Sequence, residues 1–151
     1  MVNGVGYGVL SWLAGWSIAR VPMTFRTAAA MLLLTLFIVG LCFAAQAYQR
    51  EDDERRGYRT LVVTRGAAVC LAVATACARL TIACVAVLAA LGVYPRLVLV
   101  GLPVFFLAER TMARWRRSAG GGSPALAAEF ALRMLAGGVV LVGLATVQSL
   151  E

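Results

Sequence analysis

Four of the seven acidic residues in the chain are consecutive: Glu51, Asp52, Asp53 and Glu54. They stand in the stretch Ala45-Gln46-Ala47-Tyr48-Gln49-Arg50-Glu51-Asp52-Asp53-Glu54-Arg55-Arg56-Gly57-Tyr58-Arg59-Thr60-Leu61, directly after a long uncharged apolar run. If a helix continues out of that run, Gln46, Gln49 and Asp53 fall at i, i+3 and i+7 and share one face, with Tyr48 and Asp52 on a neighbouring face. Oxygen-bearing side chains on one face suit a hard cation such as Mg²⁺, which takes one or two carboxylates and completes its shell with water and ligand phosphates. Arg55, Arg56 and Arg59 add forked donors matched to phosphate oxygens. Carboxylates, amides and arginines at the mouth of an apolar helix point to binding of a lipid diphosphate. The competing reading is a solvated loop whose charges pair locally, as such runs ordinarily do.

The elements around this stretch are those of a membrane protein. The chain has 151 residues, 62% of them hydrophobic, with a mean hydropathy of +0.86, well above a soluble domain. Its length holds a single domain, residues 1–151. The apolar residues come in five runs: about Gly4 to Ala19, Thr27 to Tyr48, Ala67 to Val93, Leu97 to Ala108 and Phe130 to Val147. The expected fold is therefore all-α, a polytopic transmembrane bundle of about five spans. The run from Thr27 to Tyr48 is the clearest, since it carries no charge and covers a hydrocarbon core of ~30 Å. The third run is long enough to hide an interfacial turn. No basic region precedes the first run, so a signal peptide is not expected.

All of the positive charge comes from 14 Arg, with no Lys and no His. The Arg crowd into alternate links: Arg20 and Arg26 in the first, Arg50 to Arg65 in the second, Arg96 alone in the third, Arg110 to Arg117 in the fourth. Positive charge marks the cytoplasmic loops. The acidic stretch is thus expected on the cytoplasmic side, with the N-terminus inside and the C-terminus outside. The Arg-, Ala- and Gly-rich composition suggests a bacterial chain and hence a bacterial inner (cell) membrane. No basic face with interleaved aromatics is present, so nucleic acid is not an expected partner. Cys42, Cys70, Cys77 and Cys84 lack the spacing and the His of a zinc site and read as small residues for close helix packing. Gly4 and Gly8 carry a weaker signal of the same kind. Arg79 reads as an interfacial residue that snorkels, Arg133 as an anchor near the start of the last run, and Trp12, Trp16 and Trp115 as interface aromatics. Pro103 is expected to kink the fourth span. Tyr7 and Tyr48 are candidates to face a cavity.

The stretch Gln46-x-Tyr48-Gln49-x-Glu51-Asp52-Asp53, running into Arg55-Arg56-Gly57-Tyr58-Arg59-Thr60-Leu61, resembles the second aspartate-rich motif of the UbiA-type intramembrane aromatic prenyltransferases. That motif commonly reads D-x-x-D-x-x-x-D and leads into Gly-x-Arg-Thr-Leu; here Gln46 and Gln49 stand at its first two aspartates and Asp53 at its third, close to a Q-x-Y-Q-x-E-E-D variant. The resemblance covers nearly the whole chain and implies that its five spans correspond to the last five helices of that fold. It implies transfer of an isoprenoid chain from a prenyl diphosphate to a small-molecule acceptor, often aromatic, with Mg²⁺ assisting departure of the diphosphate. Glu51, Asp52 and Asp53 would contact the metal, directly or through water. Gln46, Tyr48, Gln49, Arg55, Arg56 and Arg59 would bind the diphosphate. The family's first motif, of the N-D-x-x-D type, does not occur in these 151 residues, so the chain is expected to be a C-terminal portion with little activity alone, working with the missing N-terminal half or a second copy. Two other functions remain open: a non-catalytic membrane scaffold or lipid-binding remnant, and a related terpene cyclase.

Overall fold

A computed structural model describes residues 2–20, 22–118 and 123–149, with side chains at all of these except 2–5, 138 and 141–149. The described residues are helical, with no strand among them. In chain order the helices are α1 (Val2–Ala19), α2 (Phe25–Tyr48), α3 (Arg50–Arg55), α4 (Leu61–Arg65), α5 (Ala67–Ala90), a 3-10 segment (Arg96–Gly101), α6 (Leu102–Arg117) and α7 (Pro124–Ser149).

Thr24 starts α2 through a reciprocal cap: its hydroxyl accepts from the Thr27 amide, and the Thr27 hydroxyl accepts from the Thr24 amide. Such a cap satisfies two amide donors that the first helical turn leaves unpaired. α2 and α5 are each 24 residues long, with mean hydropathies of 2.5 and 2.1. Both are long and apolar enough to cross a membrane. Only 22% and 17% of their most apolar windows are buried within the protein. A core helix of a soluble protein would have most of that surface covered, whereas Leu32, Leu34, Leu80 and Val87 project outward here.

α5 packs along α2, α1 lies against α2, and α6 joins α5 to α7. Small residues set the spacing. A Cβ added at Gly40 would lie 3.0 Å from the Cys77 Cβ, and one at Gly8 would lie 2.7 Å from the Thr35 Cα. The close-packing role expected of Gly8 and Cys77 is met; Gly4 lies outside the described side chains. All four cysteines are free thiols.

The third run hides no turn within its helix: α5 runs unbroken from Ala67 to Ala90, and the separate short helix α4 lies before the run. The fourth run does not form one helix. Residues Arg96–Gly101 are 3-10, and α6 begins after them. Pro103 falls in the first turn of α6, where its missing N–H costs nothing, so it starts that helix and does not kink a span. α6 is amphipathic. Phe105, Ala108, Met112 and Trp115 recur on its buried face. Trp115 is therefore a core residue, 1% exposed with its ring tilted against Phe130 of α7 at 6.4 Å, and not an interface anchor.

These α6 residues join Ala47 of α2, Val62 of α4 and Cys70 of α5 in one apolar cluster. The cluster takes in Ala47 at the end of α2, Val62 of α4 and Ala67 at the start of α5, residues that flank the stretch 49–60 in sequence. At the opposite end the Tyr94 hydroxyl donates to the Arg26 carbonyl at 3.2 Å, tying the exit of α5 to the start of α2. Burial pushes the Tyr94 hydroxyl above its ordinary range, against a smaller opposing pull from Arg26.

Candidate functional site

The helix bends at Gln49 without losing its hydrogen bonding. Gln49 takes φ −87° and ψ 9°, its amide reaches the carbonyls of Ala45 and Gln46, and its own carbonyl accepts from the Asp53 amide at 3.0 Å. The unbroken helix assumed for the Gln46, Gln49 and Asp53 face is thus interrupted at Gln49, which is exposed while Gln46 and Asp53 are half-buried, and α3 is set off from α2 by that one residue. α3 ends in a Schellman motif. The Tyr58 amide bonds the Asp53 carbonyl and the Gly57 amide bonds the Glu54 carbonyl. Gly57 takes φ +70°, the left-handed conformation that closes such a motif. The reversal carries Thr60 back to α3, where its hydroxyl donates to Asp53 Oδ2 at 2.8 Å. Two residues later Val62, fully buried, roots α4 in the core. The stretch expected to carry chemistry is therefore an ordered cap, clasped at Asp53 and anchored at Val62.

Within the cap the acids are divided. Asp52 pairs with Arg55 at 2.6 Å, and Glu54 pairs with Arg50 at 2.8 Å, both on the exposed side. Glu51 is exposed, and Asp53 is half-buried. No group of three His, Cys, Asp or Glu side chains gathers among the described residues. Local pairing, the bland reading of the charge run, thus accounts for Asp52 and Glu54. It does not account for Asp53, which turns inward to Thr60, or for Gln46, whose Oε1 is buried with no hydrogen-bond partner. An unsatisfied buried carbonyl is costly unless something else meets it. Tyr48, Gln49, Arg56 and Arg59 are exposed. Tyr7 is exposed as well, and neither it nor Tyr48 lines a cavity described in the structure.

This donor set fits a Mg²⁺ that arrives with a phosphate ligand better than one enclosed by protein. Asp53 keeps one oxygen beyond its bond to Thr60, Glu51 is uncommitted, and Asp52 is held only by a surface ion pair of small worth. Mg²⁺ needs no more than one or two such carboxylates when phosphate and water supply the rest.

A second set of charges, not foreseen as a site, joins α5, α6 and α7. Arg79 falls midway along α5. It is met there by Glu109 of α6, which accepts from its guanidinium, with Nε at 2.7 Å. Glu129 of α7 accepts from Arg114 of α6, from the buried Thr111 hydroxyl at 3.2 Å and from Arg133 at 2.6 Å. Arg133 also donates to the Leu107 carbonyl at 2.7 Å, so it clamps α7 to α6 and is more than an anchor. Partial desolvation pushes the Glu129 carboxyl up, but the Arg114 hydrogen bond, the charges of Arg114 and Arg133 and the Thr111 hydroxyl outweigh it and hold it below the usual carboxylate range. Beside this network lies a cavity of about 400 Å³ lined by Leu107, Arg110, Ala113, Arg114, Arg117 and Arg133. The sequence does signal it weakly, through Arg110, Arg114 and Arg117 at i, i+4 and i+7 and through the i, i+4 pair Glu129 and Arg133. A further cavity of about 380 Å³ lies between α1 and α2, where Trp12 and Trp16 stack at 6.0 Å.

Among the described residues the fold is all-helical, with two helices long and apolar enough to cross a membrane and a charged cap between them in sequence. No protein-family model, curated protein or solved structure matches the chain.

Proposed function

We propose that the chain is the cap-bearing part of a membrane-embedded prenyltransferase of the UbiA type. In this reading α1, α2, α5, the stretch 97–108 leading into α6, and α7 from Phe130 onward make up five membrane passages in a bacterial cell membrane, with the cap on the cytoplasmic side and Glu129 outside the last passage. The substrate is an isoprenoid diphosphate whose phosphates meet the cap and whose chain lies along apolar helix faces. The carbon–oxygen bond to the diphosphate breaks and the diphosphate leaves with the electron pair. An electron-rich acceptor then bonds to the freed carbon and releases a proton.

The observation that carries this reading is the Asp53–Thr60 clasp, which seats the motif-like stretch 46–61 over the apolar core with one carboxylate turned inward. Asp53 and Glu51, with Asp52 once released from Arg55, are the groups that hold Mg²⁺. When bound with the diphosphate, that cation neutralises charge building on the leaving group. Arg55, Arg56 and Arg59 grip phosphate oxygens by forked hydrogen bonds. Gln46 and Gln49 orient the phosphates or the waters around them, and the buried Gln46 Oε1 gains the donor it lacks. Tyr48 borders the same mouth. Carboxylates from the missing half or from a second copy complete the opposite side of the diphosphate.

One observation favours a second reading, a non-catalytic lipid-binding protein: Asp52 and Glu54 are both engaged in local ion pairs. The discriminating experiment incubates the purified chain in detergent with labelled farnesyl diphosphate, with and without Mg²⁺. The prenyltransferase reading expects Mg²⁺-dependent retention of the label but little transfer by the chain alone. No retention under either condition would favour the second reading, and a cyclic product would identify a terpene cyclase instead.

A further inference from the structure

The cleft between α6 and α7 presents four guanidinium groups, Arg110, Arg114, Arg117 and Arg133, around a volume of about 400 Å³. Among the described residues Glu129 is the single carboxylate bonded to any of them. Arg110 and Arg117 form no ion pair among the described residues; the Arg117 Nε only reaches back to the Ala113 carbonyl at 3.2 Å. Like charges gathered beside a membrane repel one another unless an anion joins them, because the effective dielectric there is low. The network on the α7 side also fixes geometry. Arg133 is held at both ends, by Glu129 and by the Leu107 carbonyl, and Arg114 is held by Glu129. Two arginines are thus set in place before any ligand arrives, and two have unspent donors. Preorganised donors lose less freedom on binding. The fork of a guanidinium matches phosphate oxygens in particular.

We propose that this cleft binds a phosphate group, carried either by the headgroup of an anionic phospholipid or by a free phosphate. Basic pockets between membrane helices bind phosphate-bearing headgroups on this principle. Leu107 and Ala113 give the cleft an apolar wall, as a headgroup site at the edge of a bilayer requires. The inference stands apart from the prenyl diphosphate reading, since none of these residues belongs to the stretch 46–61.

The test uses the intact chain in detergent micelles and follows its thermal unfolding. One arm raises the mole fraction of phosphatidylglycerol against phosphatidylcholine; the other titrates inorganic phosphate and pyrophosphate. Arg110→Ala/Arg117→Ala removes the two unpaired guanidiniums and leaves the Glu129 network intact. Arg110→Gln/Arg117→Gln does the same with more of the side chain retained, should the alanine variant fold poorly. Arg20→Ala/Arg96→Ala removes equal charge at the far end of the bundle. The expected result is stabilisation of the wild type by phosphatidylglycerol, with a half-saturating mole fraction at least ~10-fold higher in either cleft variant and unchanged in the far-end variant. Stabilisation by phosphate or pyrophosphate alone, with the same dependence on Arg110 and Arg117, would assign the site to a soluble ligand. No stabilisation in either arm, or equal loss in the cleft and far-end variants, would overturn the proposal.

Discussion

The Thr60 hydroxyl donates to Asp53 Oδ2 at 2.8 Å across a seven-residue reversal, so the first residue outside α4 holds a carboxylate of α3. The bond closes a small loop whose only other requirement is a left-handed residue at its turn. The cap at residues 49–60 is therefore a folded element, and its stability can be altered apart from its charge.

Gly57 is the residue on which that loop turns. A Cβ there would meet nothing within 4 Å, so substitution acts through the backbone alone, at φ +70°. Gly57→Ala is expected to destabilise the chain by about 1 kcal/mol, and Gly57→Asn by less, because Asn tolerates the left-handed region. Thermal unfolding of the three proteins in one detergent checks the order. Equal melting temperatures would mean that the Schellman turn does not persist.

Arg79 and Glu109 offer a double-mutant cycle. Arg79→Leu leaves the Glu109 carboxylate, 23% exposed, without its partner, and Glu109→Leu leaves the 67% exposed guanidinium unpaired. Once one member of a contacting charge pair is gone, removing the other no longer costs their shared interaction. The double variant is expected to be more stable than the sum of the single effects predicts, with a coupling of about 0.5–3 kcal/mol. Additive effects would show that the two side chains do not meet.

Glu129 makes the junction of α6 and α7 acid-sensitive. Its carboxyl titrates below the ordinary range in the fold, so ionisation favours the folded state. That contribution is complete above the unfolded glutamate pKa of ~4.3 and is lost as the pH falls through the lower folded value. The melting temperature should drop in that window, and Glu129→Gln should flatten the drop while lowering stability at neutral pH. An unchanged acid profile in Glu129→Gln would assign the sensitivity to other carboxylates.

The proposed orientation puts the cap and the α6–α7 turn on the cytoplasmic side, with Arg96 outside. In a background with Cys42, Cys70, Cys77 and Cys84 replaced by alanine, single cysteines at Arg56 and Ser118 should react with an impermeant maleimide only after cells are opened. One at Arg96 should react in intact cells. Labelling of Arg56→Cys from outside would reverse the topology.

Much of this was legible from local pattern. The uncharged run before Tyr48 and the apolar stretch from Ala67 became α2 and α5, because length and hydropathy are properties of single segments. The cap was legible as a place, since its charge and its Gly57 break the helical pattern together. What escaped was set by contacts between distant segments. Trp115 looked like an interface anchor because its arginine neighbours are sequence-adjacent, while its partner Phe130 lies on the next helix. Arg79 reads as a lone snorkelling residue because Glu109, its partner, is 30 residues away. The turn of Asp53 to Thr60 depends on where the chain reverses, which residue spacing on a straight helix does not encode, whereas the i, i+3 pair of Asp52 with Arg55 is within reach of that spacing.

The central claim is that the cap receives a prenyl diphosphate with Mg²⁺ through Asp53. Equilibrium binding of labelled farnesyl diphosphate to the detergent-purified chain, at saturating Mg²⁺, tests it with two isosteric variants. Asp53→Asn keeps an oxygen for the Thr60 hydroxyl but removes the charge; Glu54→Gln removes a charge that is already spent on Arg50. The account predicts Mg²⁺-dependent binding that Asp53→Asn weakens at least ~10-fold, the scale of one lost charge-assisted contact, while Glu54→Gln leaves it within about twofold of wild type. Binding that ignores Mg²⁺, or that falls equally in the two variants, would contradict it.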